Sequence, residues 1–273
     1  MGAAPILKNP ESQDDMEVRA HASGMIYGPF VNSPFGTTIG INLLGTKAKV
    51  CSFDCAYCDL GRTTLRLNRL KSDGILPTYE ELEAELQTTI MRFHAEGPGF
   101  DAFCVSGNGE PTVHPDFPEI ARLIMRLRDE WFPGKPVILM SNGASLHTRK
   151  IAAAANLFTE RVIKIDCGNE KLFKQVNAPL SRANLAHVLS GIRNLTDVIV
   201  QSLFFTGEFT NTNPADIEEW IEVIGIVRPK AVHIHGLSRS PATPGLRACD
   251  EDTLYAIASM LERRTQIKAT VIA

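Results

Sequence analysis

Thr38-Ile-Gly-Ile-Asn-Leu-Leu44, followed shortly by Cys51-Ser-Phe-Asp-Cys55-Ala-Tyr-Cys58, decides the architecture. A β-rich apolar run that empties into a loop crowded with reactive side chains is the pattern of a parallel α/β sheet, in which chemistry gathers at the carboxyl ends of the strands. Downstream the same unit recurs. Thr78 and Glu81 have the spacing of a capping box, and Leu82, Leu86, Ile90 and Phe93 then share one helical face. A second strand is expected at Phe100 to Val105, and a helix from Asp116, with Pro118 and Glu119 in its first turn and Ile120, Leu123, Ile124 and Leu127 on its apolar face. Val137 to Met140 reads as the third strand, with a short helix from Thr148 to Phe158.

Arg161 to Asp166 reads as the fourth strand and Val198 to Phe205 as the fifth, separated by a helical region from Asn169 to about Asn194 that breaks at Pro179. Asn213 and Pro214 open a further helix with Ile217, Trp220, Ile221 and Ile224 on its buried stripe. Ala231 to Leu237 is the expected sixth strand. A loop rich in Pro and Gly follows, then a helix from Asp250 carrying Leu254, Ile257, Ala258 and Leu261, and a last strand at Ile267 to Ile272. Six such units predict an α/β chain folded as a partial (β/α)6 TIM-like barrel, one domain over 22–273, with 1–21 as a loose arm.

With 273 residues, 44% hydrophobic and 22% charged, the chain has enough apolar material for a large core. The formal net charge is -3 and no long run of like charge appears, so a nucleic-acid partner is not suggested. No apolar stretch approaches the roughly 20 residues that span a bilayer, and Met1 to Ala20 is polar and acidic rather than signal-like, which predicts a cytoplasmic protein with no membrane association. Three of the six cysteines crowd into 51–58, which fits reduced thiols used as ligands better than disulfide staples.

Thiolates at spacings of four and three, close together in one loop, are suited to three corners of a cubane iron-sulfur cluster. The fourth iron then lacks a protein ligand and is open to the amino and carboxylate groups of a methionine moiety, whose sulfonium would lie beside a centre able to inject an electron. The competing readings of the same residues are a structural zinc site, a Cys55/Cys58 redox pair and plain buried thiols; zinc normally takes four ligands, and no second Cys-x-x-Cys exists to complete its tetrahedron.

Cys51, Cys55 and Cys58, with the aromatic Tyr57 before the third cysteine, resemble the defining motif of the radical S-adenosylmethionine (SAM) superfamily. Tyr27-Gly-Pro, Gly40-Ile-Asn, Cys58-Asp-Leu-Gly-Arg62-Thr and Gly107-Asn-Gly-Glu110-Pro-Thr-Val-His114-Pro look like its wyosine-synthase-like branch, and the likeness runs from about Gly24 to the C-terminus. Wyosine synthases carry extra N-terminal cysteines for an auxiliary cluster, and Met1 to Val50 has none. The resemblance implies an oxygen-sensitive enzyme with a [4Fe-4S] cluster on the three cysteines and SAM as cofactor. It also implies a one-electron donor such as flavodoxin or ferredoxin, and a 5′-deoxyadenosyl radical that abstracts hydrogen from a small-molecule or nucleotide substrate. It places Tyr57 near the adenine. Asn108, Gly109 and Glu110 fall on the family's Gly-Gly-Glu motif, which binds the methionine amino group, and Ser141 and Asn142 are implied to hydrogen-bond SAM, though a strand-ending turn suits these two equally.

Lys164 and Asp166 alternate with apolar neighbours and share one face of the fourth strand, either lining a lumen or forming a buried ion pair. Lys164 in the lumen would contact SAM, donate a proton or form an imine. Gln201 on the fifth strand faces the same choice and would contact SAM if it lines the lumen; so do His233 and His235 on the sixth, which are candidates for substrate binding or proton transfer unless they are satisfied core residues. Arg239 either clamps a carboxylate or phosphate of SAM or substrate or is an exposed loop residue. Cys104, Cys167 and Cys249 are isolated. The rival functions are a tRNA purine-modifying, wyosine-like enzyme and a non-catalytic iron-sulfur or zinc protein.

Overall fold

The computed structural model describes residues 22, 24–32, 34–45, 48–63, 76–97, 99–180 and 182–272. The expected arm, 1–21, lies outside them. Six parallel strands form the body of one sheet: β2 (Thr37–Ile41), β3 (Ala102–Val105), β4 (Val137–Ser141), β5 (Glu160–Lys164), β6 (Val198–Leu203) and β8 (Ala231–His235). β10 (Ala269–Ile272) adds a parallel strand beyond β8, so the expected last strand is part of the sheet. The helices α1 (Tyr79–Glu96), α2 (Phe117–Trp131), α3 (Arg149–Ala155), α4 (Glu170–Val176), α5 (Leu185–Ile192), α6 (Pro214–Val227) and α7 (Glu251–Thr265) follow the strands in the order the sequence implies. This is the α/β, partial TIM-like barrel expected from the repeated units.

Local chemistry accounts for the element ends. The Thr78 side chain accepts from Glu81 N (3.2 Å) and Glu81 returns the bond to Thr78 N (2.8 Å), so both arms of the capping box of α1 are made. Gly97 stops the helix in the left-handed conformation. The helical region after Asn169 breaks into α4 and α5 around Pro179.

Two elements differ from the sequence expectation. β1 (Ile26–Val31) pairs antiparallel with β2 and was not visible as a strand, because Gly28-Pro29 interrupts its alternation and its register shifts between Tyr27 and Phe30. The Tyr27 ring lies over Gly40, where a Cβ would come within 2.2 Å of it, which gives the Gly40-Ile-Asn stretch its steric reason. The fifth strand divides: β6 ends at Leu203, and β7 (Phe205–Gly207) leaves the sheet to pair with β9 (Leu246–Ala248). Asn211 causes the division, its Oδ1 accepting from Phe205 N (3.0 Å) and its Nδ2 donating to Leu203 O (2.8 Å) and Asp166 O (2.9 Å), in place of strand ladder bonds.

The sheet packs its outer face on the helices in a large core containing Trp220, Phe103 and Phe117. Its concave face carries a second, smaller cluster in which Ala102, Cys104, Ile138, Val162 and Ile199, one or two from each of four adjacent strands, are buried against Phe30, Phe35 and Met140. The lower lumen is therefore largely apolar, and most of the polar groups that line the cavity lie toward the strands' carboxyl ends.

Candidate active site

The cysteine loop is held from several sides by backbone. Val50 N donates to Asn108 O (2.9 Å) and Glu110 N to Val50 O (3.0 Å), stitching the loop to the segment after β3. Gly109 sits at that stitch with φ +141°, and a Cβ there would lie 1.8 Å from Val50 O, so only glycine permits the approach. On the other flank Phe53 bridges Pro179, and Ala56 N donates to Val176 O (2.8 Å). Thr243 N closes over the top on Ala56 O (2.9 Å).

Each cysteine has a polar neighbour. Asn142 Nδ2 donates to Cys51 Sγ and Asn177 Nδ2 to Cys55 Sγ, each at 3.6 Å. The Lys49 ammonium donates to Gly61 O (2.7 Å), in the turn that follows Cys58, and lies 3.6 Å from Asp54 Oδ1. Burial pushes the Cys51 thiol well above its ordinary range, with Cys55 and Glu110 adding to it, and takes Cys55 to about 11, with Cys58 and Asp166 adding. Burial also opposes the charge on Lys49, but Cys58 and then the other two cysteines outweigh it and raise the ammonium's pKa. Among the described residues no three His, Cys, Asp or Glu side chains gather tightly enough to hold a single metal ion. A cubane makes no such demand, since each thiolate takes a different iron.

Cys51 and Cys55 open onto a cavity of about 560 Å³ at the carboxyl ends of the strands, which Tyr57, Gly109, Glu110, Ser141 and Asn142 also line. Glu110 is buried. Its Oε1 accepts from Thr112 N (3.1 Å), Thr112 Oγ1 (2.6 Å) and Ser141 Oγ (2.8 Å), and its Oε2 from Asn142 N (2.6 Å) alone. Burial raises its carboxyl pKa in spite of these donors. Oε2 keeps acceptor capacity that Oε1 has spent.

Lys164, Gln201 and His235 line the polar upper lumen on adjacent strands. Lys164 Nζ stands 4.7 Å above the Tyr57 ring and 3.2 Å from Asp166 Oδ1. The Gln201 amide lies 2.8 Å from His235 Nε2. Burial, Lys164 and His233 together lower the His235 pKa to about 3, leaving a neutral imidazole at pH 7.

Three expected site residues take other positions. Asn108 is buried away from the cavity and ties Ala22 and Gly45 together, its Oδ1 accepting from Ala22 N (2.7 Å) and its Nδ2 donating to Gly45 O (2.7 Å). Asp166 lies behind the cavity wall, where its carboxylate accepts from Tyr57 Oη (2.6 Å), Asn177 Nδ2 (2.7 Å) and Leu203 N (2.9 Å). His233 does not reach the cavity; it sits lower in the lumen with its ring edge-on to Phe35 at 5.6 Å. Arg239 is at the rim, paired with Asp59 at 2.7 Å.

Lys49 and Asn177 are site residues that sequence reasoning missed. A lysine two positions before a cysteine motif carries no signal by itself. Asn177 is the C-cap of α4, a position usually explained by local backbone needs.

A family model, Radical SAM superfamily, matches residues 47–224. A curated Brachyspira hyodysenteriae protein named GTPase Obg is 21% identical over 255 residues, 90% of this chain and 35% of that protein. A UPF0026 protein of Helicobacter pylori (strain J99) is 25% identical over 177 residues, covering 64% of this chain and 52% of that one. The chain thus spans about a third and about half of the length of these two relatives. A radical SAM methyltransferase from Sphaerobacter thermophilus superposes with a TM-score of 0.64 at 15% identity, over 88% of this chain and 67% of that one. TYW1 with a lysine-pyruvate adduct bound superposes with a TM-score of 0.58 at 15% identity, over 85% of this chain and 74% of that one. At these identities the structural likeness is one of fold.

Proposed function

Because this chain belongs to the radical SAM superfamily, we propose that Cys51, Cys55 and Cys58 hold a [4Fe-4S] cluster at which SAM is reductively cleaved, and that a substrate held in the polar lumen loses a hydrogen atom. The observation that carries the reading is the convergence on one cavity of the cysteine loop and the Glu110–Asn142 wall, from segments far apart in sequence. When bound, the cluster and SAM supply the electron transfer and the 5′-deoxyadenosyl radical. Gly109 lets the backbone wall come close to the cysteine loop. Glu110 Oε2, the oxygen with a single donor, receives the methionine ammonium. Tyr57 offers its ring to the adenine, since its hydroxyl is committed to Asp166.

Lys164, Gln201 and His235 bind the substrate. His235 acts there as a neutral acceptor or proton relay, which its lowered pKa favours. The cavity must take both SAM and the reacting group, and about 560 Å³ favours a small molecule, or a small protruding part of a nucleotide. Arg239 closes the rim through Asp59 and clamps an anionic group when that pair opens. The enzyme is fed by an external one-electron donor such as a flavodoxin or ferredoxin, and no helix among the described residues is long and apolar enough to cross a membrane.

The test is anaerobic reconstitution, followed by iron and sulfide analysis and then reduction with dithionite in the presence of SAM. The intact protein is expected to release 5′-deoxyadenosine and the Cys55→Ala variant none. Zinc in place of iron, or a full cluster with no SAM cleavage, would overturn the reading.

A further inference from the structure

The three cysteine sulfurs draw their polar neighbours from three separate places. Asn142 beyond β4 serves Cys51 and Asn177 at the end of α4 serves Cys55, both as neutral amides. The neighbour on the Cys58 side is a cation, Lys49, which is only 3% exposed and reaches the turn that Cys58 begins. Its Nζ is fixed by Gly61 O at 2.7 Å, and Gly61 N is bonded in turn to Cys58 O at 3.3 Å, so the ammonium sits inside the turn that carries the third cysteine. Burying an ammonium is unfavourable unless a counter-charge compensates it. Asp54 compensates it incompletely: its Oδ1 is 3.6 Å away and also accepts from Thr63 N (2.7 Å), while its Oδ2 faces Arg62 at 3.4 Å. The cluster proposed on the three thiolates would supply the balance of negative charge.

We propose that Lys49 is a fixed positive charge within the cysteine loop that raises the reduction potential of the cluster bound there and so brings it within reach of its electron donor. The inference rests on the cluster assignment proposed above. The step concerned is a single electron passing from the external donor to the cluster, with no bond made or broken and Lys49 protonated throughout. Reduction adds negative charge to the centre, and a cation buried beside it stabilises the reduced form more than the oxidised one. Asn142 and Asn177 act in the same sense with the smaller fields of amide dipoles. Lys49 touches neither substrate nor reacting atoms and is a positioning residue for charge.

The experiment is an anaerobic redox titration of the reconstituted full chain without SAM, followed by electron paramagnetic resonance, on wild type, Lys49→Gln, Lys49→Arg and Asp54→Asn. Lys49→Gln is expected to lower the reduced-to-oxidised ratio at a fixed solution potential at least tenfold, a shift of about 59 mV to more negative values. Lys49→Arg, which keeps the charge, should stay within about twofold of wild type. Asp54→Asn should move the potential the other way, because the cation loses its partial counter-charge. A wild-type potential for Lys49→Gln, or equal shifts in Lys49→Gln and Lys49→Arg, would overturn the proposal and leave Lys49 a strut of the loop. If Lys49→Gln assembles no cluster, Asp54→Asn decides, and an unchanged or more negative potential there is the overturning result. Iron and sulfide contents of the same samples keep the two readings apart: a wild type that binds no cluster defeats the assignment, and a loaded wild type insensitive to Lys49 defeats only this inference.

Discussion

Gly109 shows how much one position contributes when two backbones must touch. A methyl group there would lie 1.8 Å from Val50 O and would part the loop from the wall that carries Glu110. Gly134 is a useful contrast, since its φ of +79° strains any other residue but nothing lies within 4 Å of a Cβ built on it. Gly134→Ala is expected to cost about 1 kcal/mol from backbone conformation alone. Gly109→Ala should cost on the order of 3 kcal/mol and also sharply reduce the iron bound after reconstitution. Equal denaturation midpoints and equal iron contents for the two variants would defeat the steric argument. The cysteines and the Gly109–Glu110 pair were readable because each group is contiguous in sequence. Lys49, Asn177 and the inward turn of Asp166 were not, since their meaning lies in contacts with Gly61, Cys55 and Leu203 that no local pattern encodes.

Helix α1 illustrates what local sequence specifies well. Its capping box is formed on the surface from four consecutive residues, so its contribution is separable from the core. Thr78→Ala should lower unfolding free energy by about 1 kcal/mol in a chemical denaturation series and leave SAM cleavage intact; a change much below that would mean water replaces the cap. The helix faces and parallel strands were legible for the same reason, being written in periods of 3.6 and 2 residues. β1 and the β7–β9 ribbon were not. β1 is interrupted by its own Gly28-Pro29, and the break after Leu203 is set by Asn211, which takes bonds that a continuing strand would have used.

At the scale of the whole molecule, acid sensitivity should reflect two buried imidazoles, His114 and His233, and the half-buried His235. Burial lowers the pKa of His114 and His233, and burial with Lys164 and His233 brings His235 to about 3. The unfolded chain therefore binds more protons than the folded one from about pH 6.5 downward, so their stability contribution is complete above that pH and is lost as pH falls through the folded values. Wild type should lose on the order of a few kcal/mol between pH 7 and pH 4, and His235→Gln should flatten part of that slope in urea titrations across the same range. A variant with the wild-type slope would show that His235 charges as readily folded as unfolded.

The ties around the cysteine loop also bear on how the protein is made. The loop's partners Asn142 and Asn177 lie 91 and 122 residues further along the chain, and Thr243 later still. During synthesis the cysteines emerge long before the walls that will enclose them, so a chain still growing on the ribosome presents bare thiols and no pocket. Loading of the proposed cluster is therefore expected after translation, on a scaffold whose later strands have already closed around the site.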